Sequence, residues 1–254
     1  MTLLYDTQSL FNRYLTKVVR NRTLLVTNIL TPVLFLIFFS QLLQKLSVFP
    51  GVSGSYLTYL TPGIIVMSAI IYAMQSGMSI VNDLNSGFLE KLLSTPASRT
   101  AILLGRLMID TLMVIIQTIV IMVVAALMGV TVVTGFLGVL LILVTIAFFG
   151  LAWSGLFLAL GMKTRRPETL SAIGSAVTFI LLFVSTGVFP KSILPSWAQT
   201  LSNFNPISYV SDAMRSLFQS GFAWNALASA YIVIGLLAIA TFAATLYQFR
   251  KVVS

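Results

Sequence analysis

The residues able to do chemistry in this chain are few, and their scarcity narrows the function. The 254 residues contain no histidine and no cysteine. The usual zinc sites therefore cannot be built, a Ser–His–Asp set is impossible, and disulfide and thiol chemistry are absent. No GxxxxGK[ST] phosphate loop occurs, so the chain does not hydrolyse nucleotide through that motif. Asp110 and Asp212 each stand at helical spacing from a cation. Asp110 follows Arg106 by four residues and Asp212 precedes Arg215 by three, so each can close an ion pair on one helix face. A third group, Phe88-Leu89-Glu90-Lys91-Leu92-Leu93, is amphipathic. On a helix Phe88, Leu89, Leu92 and Leu93 share one face, while Glu90 and Lys91 point the other way. Asn85 or Ser86 can cap its start, and Pro96 turns Thr95 away from helical dihedrals and ends it. Such a segment suits docking rather than reaction.

The elements that must position these residues are apolar. The chain is 58% hydrophobic and only 8% charged. A soluble domain carries about 25% charged residues, so the composition is that of a membrane protein. Six continuous apolar runs, at 24–43, 57–81, 107–128, 136–161, 170–189 and 226–249, approach or exceed the roughly 20 residues a helix needs to cross a bilayer. Their continuity, without alternation, argues against strands. The first run is interrupted by Pro32, and Tyr56 and Tyr59 stand at one end of the second like interfacial anchors. Before the first run, residues 1–23 form an amphipathic stretch. Leu10, Phe11, Tyr14, Leu15, Val18 and Val19 lie on one side and Arg13, Lys17 and Arg20 on the other, as in a helix lying in the membrane interface. Ala69, Ala73 and Gly77 recur every four residues in the second run, as do Ser171/Ser175 and Ala172/Ala176 in the fifth, which permits close helix packing. The expected fold is a single all-α integral membrane domain, 1–254, of six transmembrane helices.

The formal net charge is +9, and the cations flank the apolar runs instead of forming a nucleic-acid surface. Alternate loops divide them twelve to three, with Lys45, Lys191 and Arg215 as the minority. By the positive-inside rule both termini, the 82–106 loop and the 163–168 loop are cytoplasmic. Residues 190–224 then lie outside. They carry too many apolar side chains for a free loop, so two short helices broken at Asn205-Pro206 are expected to re-enter the bundle or cap it. Asp110 is expected to pair with Arg106 at the cytoplasmic edge of the third run. No acid stands near mid-membrane, where an ion-coupled transporter normally carries one.

Taken together, these features resemble the permease of a type 2 ATP-binding-cassette exporter, with the daunorubicin/doxorubicin drug-resistance branch closest in length and layout. The resemblance covers nearly the whole chain. Leu89 to Arg99, LEKLLSTPASR, matches a family pattern of a Glu, a basic residue and a Thr-Pro-x-Ser-Arg run. Asn205-Pro206, Tyr209, Asp212-Ala213 and Arg215 match its NP–Y–DA–R signature on the extracellular segment. The resemblance implies a non-enzymatic subunit in a prokaryotic plasma membrane that pairs with a second permease copy, alike or paralogous, and with two separate ATPase subunits. ATP and magnesium would bind in those partners. Phe88 to Leu93 would be a coupling helix entering a groove on the ATPase, with Glu90, Lys91 and Arg99 setting its orientation by charge and Pro96 closing it. The 190–224 segment would be re-entrant helices over the pathway.

For the cargo, the second and fifth runs offer uncharged polar groups beside soft apolar ones. Met74, Gln75, Met78 and Ser79 on the second, and Ser175, Thr178, Phe179 and Phe183 on the fifth, form a candidate substrate wall. It suits a hydrophobic or amphipathic molecule such as a drug-like natural product or a lipid-linked compound, and it offers no fixed cation and no carboxylate. The hydroxyls can instead bond to the preceding turn of their own helices. An ion-coupled secondary transporter, a polysaccharide- or glycolipid-exporting relative and a membrane enzyme or scaffold are the alternative readings.

Overall fold

The computed structural model describes residues 3–44, 55–94 and 98–253. Among them all regular structure is helical. Five helices are long and apolar enough to cross a membrane: α2 (Arg22–Leu42), α3 (Tyr56–Asn85), α5 (Arg99–Leu127), α6 (Gly135–Thr164) and α10 (Trp224–Val253). A sixth apolar helix, α7 (Pro167–Phe183), has 17 residues. At 1.5 Å per residue it spans about 26 Å, a little less than the hydrocarbon core. It stops at Phe183 rather than at Phe189, where the apolar run ends, because the next residues bond elsewhere. The Thr186 amide donates to Ser208 Oγ at 3.3 Å, and the Gly187 amide to Ser185 Oγ at 3.1 Å. Non-helical backbone is stable at this depth only when protein surrounds it, and residues 185–188 are buried.

α3 is the axis of the bundle. It packs against α2, α5, α6 and α7, and against the short helix α9 (Pro206–Gln219). Its small residues let neighbours approach at the backbone. A Cβ built on Gly77 would lie 2.6 Å from the carbonyl oxygen of Phe157 on α6, and one on Gly63 would lie 1.9 Å from that of Gly187. On α7 the close-approach residue is Gly174, whose Cβ would meet Met74 Sδ at 2.7 Å. It lies between the Ser171/Ser175 and Ala172/Ala176 pairs. α6 and α10 add polar ties, with Thr245 Oγ1 donating to the Gly155 carbonyl at 2.8 Å. By contrast α2, α7 and α10 leave many large apolar side chains exposed, including Phe38, Phe179 and Ile239, as suits surfaces that face lipid.

The N-terminal helix α1 (Leu3–Arg20) precedes α2 with only Asn21 between them, and the Asn21 side chain accepts from the Leu24 amide at 3.2 Å. α1 lays its apolar face on the start of α5. Leu10 and Tyr14 are buried, and Gly105 of α5 comes so near that a Cβ there would sit 2.9 Å from Leu10 Cβ. The first turn of α5 and the short helix α4 (Phe88–Leu93) therefore share one end of the molecule with α1. Residues 184–220, including α8 (Ser196–Ser202) and α9, close the other end.

Candidate functional site

At the α4 end, α1, α2, α3 and α5 enclose a cavity of about 750 Å³. Its walls are mixed. Leu24, Leu25, Met74 and Met78 supply apolar surface, while Asn28, Gln75, Ser79 and Asn82 supply amides and a hydroxyl. Gln75 Nε2 donates to Asn28 Oδ1 at 2.6 Å, which ties α3 to α2 across the cavity.

Two ion pairs belong to this wall, to which Lys17, Arg106 and Asp110 contribute. Lys17 Nζ lies 2.7 Å from Asp83 Oδ1 and reaches Ser79 Oγ at 3.4 Å. Arg106 Nε lies 3.6 Å from Asp110 Oδ1, as the four-residue spacing requires. The pair is not at an open edge. Asp110 is 1% exposed, and Ser76 of α3 donates its hydroxyl to Asp110 Oδ2. Arg106 in turn donates from Nε to Ser76 Oγ, from Nη1 to Ser79 Oγ and from Nη2 to the Ser76 carbonyl, each at 3.1 Å. A buried ion pair is tolerated when further hydrogen bonds satisfy its remaining valences, and α3 supplies them here. The cavity is therefore not free of fixed charge, contrary to what the uncharged residues of the second and fifth apolar runs suggested.

The candidate substrate residues separate into two groups. Met74, Gln75, Met78 and Ser79 line the cavity. The α7 residues do not join them. Ser175 Oγ touches the cavity-lining Met74, 4.0 Å from its Sδ, without lining the cavity itself; Thr178 is buried, and Phe179 and Phe183 stack on one another at 6.2 Å on an exposed face. The Lys17–Asp83 pair joins residues 66 apart in sequence. No spacing rule reaches that far; the signal was an isolated acid at the polar end of an apolar run.

Beside the cavity, α4 begins after Gly87, whose φ of +67° favours glycine. Leu89 is fully buried in the chain's own core and Leu92 is half-buried against it. Phe88 is half-buried, with the Arg13 guanidinium 3.4 Å from its ring centroid. Lys91 is exposed. Leu89 thus anchors the segment to the bundle instead of sharing an outward docking face. Pro96 and the side chains of Glu90, Leu93 and Arg99 lie outside the described residues.

At the opposite end the NP–Y–DA–R residues form a clamp. Asn205 caps α9 by accepting from the Ile207 amide at 3.0 Å, and its Nδ2 donates to the Leu181 carbonyl at 2.6 Å. Pro206 occupies the first turn of α9, where its missing N–H costs nothing. Tyr209 donates to the Asn203 carbonyl at 2.6 Å, and Ala213 is fully buried. Arg215 pairs with Asp212 and donates to the Thr186 carbonyl at 2.6 Å and the Tyr59 carbonyl at 3.3 Å, with its guanidinium 3.8 Å from the Tyr59 ring centroid. Thr186 Oγ1 donates to Asp212 at 2.7 Å. Tyr56 and Tyr59 donate to the carbonyls of Val188 and Thr186 at 2.8 and 2.9 Å, so they bind backbone within the fold.

Comparison with known proteins gives a consistent picture. The family model of the ABC-2 type transporter matches residues 5–219. The chain is 28% identical over 217 residues to the daunorubicin resistance ABC transporter permease protein DrrB1 of Streptomyces coeruleorubidus, covering 85% of this chain and 76% of that protein. It is 30% identical over 231 residues to the putative transport permease ycf38 of Pyropia yezoensis, covering 88% and 77%. It is 24% identical over 211 residues to the probable doxorubicin resistance ABC transporter permease protein DrrC of Mycobacterium tuberculosis, covering 83% and 75%.

Proposed function

The chain belongs to the ABC-2 type transporter family and is a multi-pass membrane permease subunit, and from that premise we propose that it exports a hydrophobic or amphipathic molecule using ATP hydrolysed in a separate ATPase. The observation that carries this reading is the cavity beside α4. Its wall combines the thioethers of Met74 and Met78 with the amides of Gln75 and Asn28, a surface that can hold an apolar body and a polar group together. The drug-resistance names of two relatives point to the same class of cargo.

In this reading ATP and magnesium bind to two ATPase subunits, and two permease copies face each other. α4 couples them. Leu89 anchors it to the bundle, and its outward side, with Lys91, meets the ATPase. The side bearing α4 and α1 faces the cytoplasm of a prokaryotic cell, and residues 184–220 face outward. Because the native chain has no cysteine, orientation is directly measurable. A cysteine at Ser192 should react with an impermeant thiol reagent from outside intact cells, and one at Ser94 should not; the reverse pattern overturns the orientation.

The cargo reading is tested in vesicles holding the chain and its ATPase. Amphiphilic compounds should stimulate ATP hydrolysis and compete with one another. Met78→Trp, inside the cavity, should reduce the stimulation, whereas Phe179→Ala, on the exposed face of α7, should leave it unchanged. Stimulation only by small hydrophilic ions or free sugars, with Met78→Trp silent, overturns the proposal.

A further inference from the structure

Both ion pairs at the cavity are oriented the same way. In Lys17–Asp83 the lysine side chain is 47% exposed and the aspartate 7%; in Arg106–Asp110 the values are 9% and 1%. In each pair the cation is the more exposed partner. Asp83 does not line the cavity; Asp110 does, but it is 1% exposed and bonded to Ser76 and paired with Arg106. Lys17 and Arg106 converge on one neutral acceptor, Ser79 Oγ, at 3.4 and 3.1 Å. Three of the five N–H groups of Arg106 are engaged within the protein, which leaves two for a further acceptor.

The mouth continues the pattern. A second hollow of about 650 Å³, sharing Lys17 and Asn21 with the cavity, is lined by Arg13, Thr16 and Arg20 and, among the described residues, by no acid. The Arg13 guanidinium lies over the Phe88 ring, and its Nη1 is buried without a hydrogen-bond partner; it adds positive charge at the mouth.

We infer that the cavity selects an amphiphile by an anionic head, phosphate or carboxylate, drawn in past Arg13 and Arg20 and held between Lys17 and Arg106, with its apolar body along Leu24, Leu25, Met74 and Met78. The outer ends of two buried dipoles supply the attraction, and the low dielectric of the wall strengthens it. Ser79 fixes the head by bridging the two cations. The inference deepens the exporter reading, and rests on it for the claim that the bound molecule is carried.

The test uses the full chain in phosphatidylcholine nanodiscs and a tail-labelled fluorescent dodecyl phosphate, followed by anisotropy. Unlabelled dodecyl phosphate should displace the probe at least tenfold better than dodecyltrimethylammonium or dodecyl maltoside, and displacement should weaken with salt. The double variant Lys17→Gln/Asp83→Asn removes the pair together, leaving no buried acid unpaired. It should weaken dodecyl phosphate about tenfold and leave dodecyl maltoside unchanged, while Lys17→Arg should retain phosphate binding. Equal or better displacement by the ammonium compound, or a double variant with unaltered phosphate binding, overturns the inference. Inorganic phosphate as effective as dodecyl phosphate also overturns it, since the ligand is then a free anion. With the ATPase present, dodecyl phosphate should stimulate hydrolysis through wild type and less through the double variant. Binding with every dependence above but no stimulation and no transport identifies a resident anionic lipid: the headgroup site stands and the cargo reading of the cavity falls.

Discussion

The two ends of the bundle each bury an arginine beside an aspartate, but the pairs face opposite ways. At the 184–220 end Arg215 is the inner partner, 10% exposed, and Asp212 the outer one, 48% exposed. At the α4 end the acid is the more buried partner, 7% against 47% for Asp83 and Lys17 and 1% against 9% for Asp110 and Arg106. Arg215 binds two backbone carbonyls from α3 and the post-α7 turn, so it holds chain segments together. Arg106 also crosses segments, from α5 to Ser76 Oγ, Ser79 Oγ and the Ser76 carbonyl of α3, but it borders open volume. The same residue pair therefore clamps segments at both ends, but only at the α4 end does it line the cavity. That contrast predicts which substitutions damage the fold and which damage only function.

The largest effect should come from the clamp end. Gly63→Val places a branched side chain where a Cβ would already lie 1.9 Å from the Gly187 carbonyl oxygen. Backbone has to move, at a cost of about 3 kcal/mol or more, and the variant should fail to accumulate as a monodisperse species in size-exclusion chromatography. Normal yield would show that the two segments are not locked at this point. Arg215→Ala comes next. It removes two hydrogen bonds from a charged donor, to the Tyr59 and Thr186 carbonyls, each worth about 1.5–3 kcal/mol. A clear fall in apparent melting temperature is expected, with Arg215→Lys restoring little because the forked geometry is lost.

α4 sharpens the comparison within one segment. Leu89→Asp puts a charge at a fully buried position and should destabilise the permease by several kcal/mol. Lys91→Glu reverses an exposed charge and should leave the melting temperature unchanged while weakening copurification of the ATPase. Equal melting temperatures for both variants would break the division between anchor and docking side. The smallest effect on stability belongs to the cavity. The double variant Lys17→Gln/Asp83→Asn removes a half-exposed cation together with its buried partner and leaves no acid unpaired, so its consequence should appear in amphiphile-stimulated ATP hydrolysis rather than in unfolding.

The amino-acid sequence determined what is local. Continuous apolar runs specify membrane helices because no other open-ended segment can satisfy its backbone in lipid. The two i,i+3 and i,i+4 ion pairs form as spaced, since neighbours on a helix meet whatever surrounds them. α4 forms over Phe88–Leu93 as its apolar spacing indicates, but Asn85 and Ser86, expected to cap it, end α3 instead. Tertiary structure decided what those pieces face. Periodicity puts Leu89 and Leu92 on one side of a helix, but only the neighbouring helices determine that this side turns inward. The fifth apolar run reads as continuous to Phe189, and its helix still stops at Phe183, because Ser208 of α9 offers the Thr186 amide a bond outside the helix. Lys17 finds Asp83, and Ser76 and Ser79 find Arg106, across helices far apart in the chain. A side chain's partner is set by the packing of α1, α3 and α5, and long-range packing leaves no spacing to read. The cavity and the sense of its charge are consequences of that packing, so they became visible only when the helices were assembled.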